Sequence, residues 1–521
     1  MYVVVIRTAG NQRYIFATNR RQEIVGASDL IARVNETWAF DALRTVAGAE
    51  FTADWRIGTH PAELVVAGAG LVVVLVEEHV TGQGLVSEVT ERALREAPGL
   101  DVCGVVVEAG GEPLRETIRA AYRELSWQRD RRPGPQSRHL RLPLAQDCES
   151  SGLPAMEIRS EGNGEEPRPR SAAAAYKIGA SRPALHRLAG ICGTTPAEMR
   201  AVVDRLGLTA EWVAVVHADG NGLGDLFRGL AGHPDAQDDR GYAELFRQVS
   251  AGVDDAAKRA LLVALRRTAE QRADGETPAV LPLIVGGDDL TVVCEGDVAL
   301  PFAQHYLEAF EAETAAHPLL GKTGRARLTA AAGVAIVKRN YPFHFAYDLA
   351  EELISKEAKR VKEHGSALAF VVLYESAAPD LARIRESVTP SGSAGRSASP
   401  YMVGTDGAGG PRWDDLLRRA DALRRRDRDS GERLIPGGVA HDLCEGLCLG
   451  ADVARARLWL ARRRVAGNPE RERALDDLTA GERFWDGPSS PDDLDSGERT
   501  GLMDAMAAVP FLPAETGTAA R

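Results

Sequence analysis

No apolar run in these 521 residues reaches the roughly eighteen needed to span a bilayer. The longest, near Leu71–Val76, is flanked by Gly and Glu, so no membrane association is expected. A leader is missing as well: MYVVVIRT goes straight into a strand-like run, with neither a basic n-region nor a cleavage site. The expectation is a cytoplasmic protein. Cysteine is scarce. The six, at 103, 148, 192, 294, 444 and 448, form no CxxC pair, which excludes a zinc ribbon and a disulfide framework. Cys444 and Cys448, four apart in a helical pattern, read as buried core thiols. A basic excess is also absent, since 63 Lys and Arg stand against 75 Asp and Glu, a net charge of −12. A generic nucleic-acid coat is therefore disfavoured.

Charge is nevertheless uneven. Arg115, Arg119, Arg123, Arg129, Arg131, Arg132, Arg138 and Arg141 crowd one segment, and Arg418, Arg419, Arg424, Arg425, Arg426 and Arg428 another. They read as solvated helix faces, with docking to RNA or an RNA-bearing partner as the sharper alternative. The remaining composition, 44% hydrophobic and 26% charged, is that of an ordinary soluble globular chain of three or four domains.

Residues 1–130 read as a small α/β unit. Strand-like Tyr2–Arg7 and Arg13–Ala17 flank the turn Ala9-Gly10-Asn11, and Asn19 is placed to cap a helix running to about Asn35. Strands Leu64–Val66 and Leu71–Val76 follow, joined by Ala67–Gly70, then a helix near Val80–Ala97, strand Val102–Val107 and a helix after Pro113. Residues 131–205 read as a linker with a small insert, broken at Arg132-Pro133-Gly134-Pro135 and polar over Glu161–Ser171. The pattern then returns over residues 206–378: strand Trp212–His217, helical segments, hairpin Ala279–Val285/Leu290–Cys294, helix Leu300–Ala316, strand Arg327–Val337, helix Phe343–His364 and strand Ala367–Leu373. Strand, helix, hairpin, helix, strand is the order of a ferredoxin-like palm. An α+β chain with two such palms, related by internal duplication, is expected. In residues 379–521, Ser387–Gly410 reads as a flexible linker, Trp413–Arg428 and Ala451–Val465 as helices of a C-terminal helical domain, and the last residues as frayed.

Chemistry concentrates at two places. LPLIVGGDDLTVVC, residues 281–294, sets Gly286-Gly287-Asp288-Asp289 at the tip of an apolar hairpin. Adjacent carboxylates there repel unless a divalent cation compensates them. VAVVHADGNGLGDLF, residues 213–227, ends a buried strand at Asp219 and passes through Asn221, Gly222, Leu223 and Gly224 into a helix. Amides of such a loop can cradle phosphates, joined by Gly286 and Gly287 on the hairpin. In a palm the strand and hairpin are neighbours, so Asp219, Asp288 and Asp289 would together ligate two Mg²⁺ or Mn²⁺ ions. One ion would activate a 3′-hydroxyl for attack on an α-phosphate, and the other would stabilise pyrophosphate. Lys356, Lys359 and Lys362 are candidate triphosphate cations, with Lys359 preferred. GGDD alone is weak, but in an apolar hairpin downstream of DGNG it is specific. The equivalent first-half hairpin, Ala67–Gly70, has no carboxylate, so that half is expected to be catalytically inactive. His441-Asp442 stands alone and reads as a helix pair rather than a metal site.

These motifs resemble the large subunit of type III CRISPR effector complexes, the CRISPR polymerase/cyclase palm family, and more distantly the GGDEF diguanylate cyclases. GGDD and DGNGLG look like its active second palm, RYIFATNRRQEIVGASDLI (13–31) like its inactive first palm, and AAGVAIVKRNYPFHFAYDLAEELISKEAKR (331–360) like the strand and helix after the catalytic hairpin. The resemblance implies metal ligation by Asp219, Asp288 and Asp289, triphosphate contact by Lys359, ATP as substrate, cyclic oligoadenylate as product, and activation by target RNA on a guide complex. Two family features are missing. The chain starts at the first palm without an HD nuclease domain, so DNA cleavage is not expected. The zinc-binding CxxC pairs are also gone: in CESSGLPA (148–155) Ser151 stands where a cysteine would be, and no zinc is expected. Partners would be effector subunits with guide and target RNA, or self-associating palms. The alternatives are a structural large subunit with weak or no cyclase activity, and a templated polymerase.

Overall fold

The computed structural model describes the chain except residues 135–136, 138–143, 161–165, 273–275, 319, 321–326, 375–379, 388–396, 405–409, 480–499 and 514–521. The expectations for Arg138, Arg141, most of the 387–410 linker and the frayed C-terminus lie outside the described residues.

The first sheet comes from β1 (Tyr2–Ala9), α1 (Asn11–Ile15), α2 (Arg21–Arg33), α3 (Ala39–Val46), β2 (Ala62–Gly68), β3 (Leu71–Val76), α4 (His79–Glu96), β4 (Asp101–Glu108) and α5 (Leu114–Arg131). Its order, β2-β3-β1-β4, all antiparallel, is that of a ferredoxin-like unit. The run VVVI in β1 is apolar throughout because both sheet faces are covered. Val4 and Ile6 pack with α2 and α4, while Val3 and Val5 pack with Leu114, Ile118 and Leu125 of α5.

Two local expectations are corrected here. Arg13–Ala17 is not a strand, since α1 occupies Asn11–Ile15 after Gly10 at φ +60. Both edges of β1 are already paired, leaving this segment no strand to join. Nor does Asn19 cap α2. Arg20 holds the N-cap position, and Asn19 Oδ1 instead accepts the Phe343 amide at 2.9 Å.

The expected linker over 131–205 is corrected too. After the short pair β5 (Glu157–Arg159) and β6 (Arg168–Arg170) come two substantial helices, α6 (Ala172–Cys192) and α7 (Pro196–Leu208). Their starts are conventional: the Ser171 side chain caps α6, and Thr195 with Glu198 forms a capping box on α7. Helix α6 lies so close to α2 that a Cβ on Gly26 would sit 1.7 Å from the Lys177 carbonyl oxygen. In the 148–155 loop, hydroxyls make the cross-links: Ser150 meets Cys148 Sγ at 3.4 Å and Ser151 meets Ser171 at 2.9 Å.

The second sheet is built from β7 (Trp212–Gly220), α8 (Leu223–Gly229), α9 (Asp239–Glu270), β8 (Val280–Gly286), β9 (Asp289–Glu295), α10 (Gly296–Ala316), β10 (Ala330–Lys338), α11 (Phe343–Lys356), β11 (Ser366–Val372), α12 (Leu381–Ser387) and β12 (Tyr401–Val403). Its order is β12-β11-β10-β7-β9-β8, and the β8-β9-β7-β10 portion repeats the first sheet's order. Strand β12 corrects the expectation of a wholly flexible 387–410. Residues 401–403 pair with β11, and the buried Asp504 carboxylate accepts hydrogen bonds from Tyr401 Oη, the Ala398 amide and Ser397 Oγ.

Helices α13 (Trp413–Arg424), α14 (Gly437–Leu449), α15 (Ala451–Val465), α16 (Pro469–Thr479) and α17 (Leu502–Ala508) form the C-terminal part around Leu443, Leu447, Leu458, Leu475 and Leu478. Much of the second arginine cluster works inside it. Arg419 is buried, Arg424 donates to the Pro513 carbonyl at 2.6 Å, and Arg425 bridges Asp421 and Asp477. Asp442 is engaged by Arg457.

The two sheets' units pack directly together. Ser28 of α2 donates to the Leu283 carbonyl at 2.5 Å, and the fully buried Glu63 of β2 pairs with Arg240 and Arg247 of α9. Phe16 stacks on Tyr347 of α11 with ring centroids 5.4 Å apart.

Candidate active site

Strand β7 is buried on both faces, and its period of two sorts its side chains. Ala214, Val216 and Ala218 belong to the core shared with α9 and α10, whereas Val213 and Val215 belong to the core shared with α11. His217 and Asp219 therefore point to the α11 side. The pairs His217↔Thr291 and Ala218↔Leu290, continued by one residue, set Asp219 opposite Asp289. The two carboxyl groups are in side-chain hydrogen-bond contact.

Asp288 sits at the turn between Gly286 and Asp289, which pair across the hairpin. Gly287, at φ +60, is the first of the two central residues, the pattern of a type II′ turn that suits the hairpin's twist. Asp288 then lies over Gly220, where a Cβ would come within 2.7 Å of its own Cβ. The sequence-predicted trio Asp219, Asp288 and Asp289 is thus brought to one end of one sheet.

Electrostatically this end is short of positive charge. Burial, with Asp219 beside it, pushes the Asp288 carboxyl up to about 6. Burial and then the neighbouring Asp288 and Asp219 push Asp289 up as well. Lys359 ion-pairs with Asp219. It rides not on α11, as the expected helix Phe343–His364 would have it, but on a 3-10 turn, Ala358–Val361, beyond the end of α11 at Lys356. Of the other candidate lysines, Lys356 pairs with Glu352 and Lys362 is exposed. Just before this turn, Glu357 accepts two 2.9 Å bonds from Arg385 and one of 2.6 Å from Ser399.

The loop residues divide. Asn221 ties β7 to the segment before β10, its amide donating to the Thr329 carbonyl at 2.8 Å and its Nδ2 to Thr329 Oγ1 at 3.0 Å. Gly222, at φ +73, starts α8. Leu223 packs toward Gly220, and Gly224 is exposed. Gly286 and Gly287 admit the other sheet. A Cβ on Gly286 would lie 3.2 Å from the Ala69 amide nitrogen, and one on Gly287 3.4 Å from Ala69 Cβ. The tips of the two equivalent hairpins therefore touch.

Several neighbours were not singled out from sequence. Arg7 of β1 acts on the Asp288 charge from the other sheet, and its interruption of an apolar strand was the available signal. His217 is buried, with Nδ1 3.1 Å from both the Leu290 carbonyl and Thr291 Oγ1 and Nε2 3.5 Å from Tyr347 Oη. Burial lowers its pKa, which favours the neutral ring. The buried Tyr306 hydroxyl has no hydrogen-bond partner among the described residues, and its pKa is raised by burial and then by Asp288 and Asp289.

Among the described residues, no group of three or more His, Cys, Asp or Glu already converges as a metal cage. The donor chemistry still suits one: carboxylate oxygens only, with two of the carboxyls pushed toward protonation by burial and then by their acidic neighbours. Hard divalent cations such as Mg²⁺ or Mn²⁺ favour such a set.

Residues 212–367 match the family model described as Cas10/Cmr2, second palm domain, so the resemblance read from the motifs holds over that stretch. No curated protein sequence matches the chain. Among solved structures, the apo Csm1–Csm4 cassette is similar with a TM-score of 0.54 at 14% identity, covering 98% of this chain and 70% of that one. Csm1 of T. onnurineus gives 0.51 at 13%, over 98% and 69%. The Csm1–Csm4 cassette in complex with cA4 gives 0.50 at 12%, over 98% and 70%. At these identities the likeness is one of fold. No helix of the described residues is long and apolar enough to cross a membrane.

Proposed function

We propose, from the premise that residues 212–367 form a second palm domain of the Cas10/Cmr2 family, that this chain is a nucleotidyltransferase converting ATP into cyclic oligoadenylates in CRISPR-type antiviral defence. The observation that carries the reading is the placement of Asp219, Asp288 and Asp289 at one sheet end, with two of the three carboxyls raised by burial and then by their acidic neighbours. A fold relative crystallised with cA4 supports the product class.

Asp219, Asp288 and Asp289 are the residues that would hold two divalent cations. Such ions supply Lewis acidity at the reacting phosphate and at the pyrophosphate leaving group. Lys359 pairs with Asp219. Released from it, its ammonium would meet the triphosphate. Gly222, Leu223 and Gly224 lie at the start of α8, where backbone amides suit phosphate oxygens. Neutral His217 and Tyr347 hold the β7 end against α11 and are assigned positioning roles.

The first palm has no carboxylate on its hairpin and is assigned a structural role against Gly286 and Gly287. Effector subunits bearing guide and target RNA are the proposed partners, in the cytoplasm. A second reading, a structural large subunit with weak or no turnover, is favoured by the Lys359–Asp219 pair, which occupies one carboxylate.

The test is incubation of the protein with ATP and Mg²⁺ or Mn²⁺, with and without guide-complex partners and target RNA, followed by mass spectrometry. Cyclic oligoadenylate made by the wild type and not by Asp288→Ala/Asp289→Ala establishes the assignment. Turnover retained in that double variant overturns the site, and no product even with partners selects the structural reading.

A further inference from the structure

The first sheet's unit contains a cavity that no part of the proposed reaction uses. It has a volume of about 170 Å³ and lies among α1, α2, the start of β4 and α6. None of these elements carries the three aspartates. Alanines 9, 17, 173 and 174 and Leu153 make most of its wall apolar.

Four buried polar side chains line it, Thr18 at 7% exposure and the three that follow. Glu23 is 1% exposed, and neither carboxylate oxygen has a hydrogen-bond partner among the described residues. Tyr14 is 6% exposed, and its hydroxyl is likewise unpartnered. Lys177 is 3% exposed. Its ammonium donates to the Tyr14 carbonyl at 2.6 Å, lies 3.9 Å from the Tyr14 ring centroid, and has further protons to give. A buried carboxylate without partners is unfavourable unless something supplies donors to it. Gly26, one turn after Glu23, is pressed against the Lys177 backbone, which brings α2 and α6 together at this cavity, and the Glu23 charge acts on Lys177.

The inventory therefore holds two free acceptors on Glu23 and a donor on Lys177, with Thr18, Ser151 and Asp101 also on the lining of a mostly apolar slot. That pattern selects a flat molecule with two adjacent N–H donors next to a carbonyl oxygen. Guanine has this edge, with N1–H and the exocyclic N2 amine beside O6, and Lys is a known donor partner for O6. Adenine puts a lone pair at N1, which would face a carboxylate oxygen. The exposed Arg13 also lines the cavity and has no ion-pair partner among the described residues, which makes it the cation available to a phosphate on such a base.

We propose that this cavity is a guanine-nucleotide binding site, with Glu23 reading N1–H and the N2 amine, Lys177 reading O6, and Arg13 meeting the phosphate. It is separate from the carboxylate site of the second palm and does not depend on the reaction assigned there.

The experiment is calorimetric titration of the full chain with GMP, IMP and AMP in EDTA, which removes divalent cations from the aspartate site. Expected are saturable GMP binding at one site per chain, at least tenfold weaker IMP, which lacks the N2 amine, and still weaker AMP. Glu23→Gln presents an amide donor to N1–H and should weaken GMP at least tenfold in a variant shown by circular dichroism and a cooperative melt to be folded. Asp288→Asn should leave GMP affinity unchanged. The proposal is overturned by no GMP binding, by equal affinities for GMP and AMP, by full GMP affinity in Glu23→Gln, or by loss of binding in Asp288→Asn, which would move the ligand to the second palm.

Discussion

Replacing Asp288 by asparagine should stabilise the metal-free protein, and by an amount that depends on pH. In the folded chain the Asp288 carboxyl is raised from 3.8 to about 6, by burial first and by Asp219 second. A folded-state pKa above the unfolded value means that the native state binds the proton more tightly. Stability is then greatest below the unfolded pKa, falls as pH rises, and levels off above the folded pKa. The shift corresponds to about 3 kcal/mol over the whole range, of which about 1.4 kcal/mol is lost between pH 5 and pH 8. Asparagine keeps the shape and removes the charge, so the variant's advantage over wild type should grow from pH 5 to pH 8 and then hold.

On a chain this long each kcal/mol moves a melting temperature by about 1–2 °C, so the assay is a melting-temperature difference between the two proteins in EDTA across that pH range. A second arm adds millimolar Mg²⁺ or Mn²⁺ at pH 8. A ligand present at about a hundred times its dissociation constant stabilises by about 2.7 kcal/mol, so the wild type should gain and Asp288→Asn should not. An asparagine variant that melts below wild type at pH 8, or a difference that ignores pH, would refute the electrostatic reasoning.

Lys359→Met should raise the ATP KM at least tenfold and, by leaving Asp219, Asp288 and Asp289 without their cation, lower the melting temperature more at pH 8 than at pH 5; steady-state kinetics with partners present separate KM from kcat. Gly287→Ala should cost about 1–2 kcal/mol, since its φ of +60 is left-handed, and should also press on Ala69 of the first hairpin; urea denaturation measures the loss. Glu63→Gln should cost about 3 kcal/mol by leaving Arg240 and Arg247 without their buried carboxylate. It should also loosen the two palms from one another, which faster hydrogen exchange in β2 and α9 would report.

Much of the molecule could be read from local pattern, because the physics behind it is local. Apolar runs as long as VVVI and VAVV can only be strands covered on both faces. GGDD between such runs can only be a hairpin tip, with a glycine taking the left-handed position. The order of elements then implied the sheet order that both halves adopt. Some signals were present and passed over, such as Thr195, Pro196 and Glu198, which spell a capping box and helix start within the supposed linker.

Other features depend on what lies next to what, and there tertiary structure decided. Arg13–Ala17 has a strand's composition yet lacks a free strand edge to join, while the Gly-, Ser- and Pro-rich stretch around residues 401–403 finds one beside β11. Asn19 turned from a cap on its own helix to one on α11, more than three hundred residues away. Sequence by itself determined which carboxylates this protein has, that Asp219 ends an apolar strand and that Asp288 and Asp289 sit at a hairpin tip. Only the antiparallel register and the period of two set Asp219 and Asp289 on one face, with Lys359, the one lysine of three, in reach. Only the packing of one palm on the other let the Arg7 charge act on Asp288 and set Ala69 against the glycines of the tip. A charge's surroundings are a property of neighbours in space, and most of those neighbours are distant in the chain.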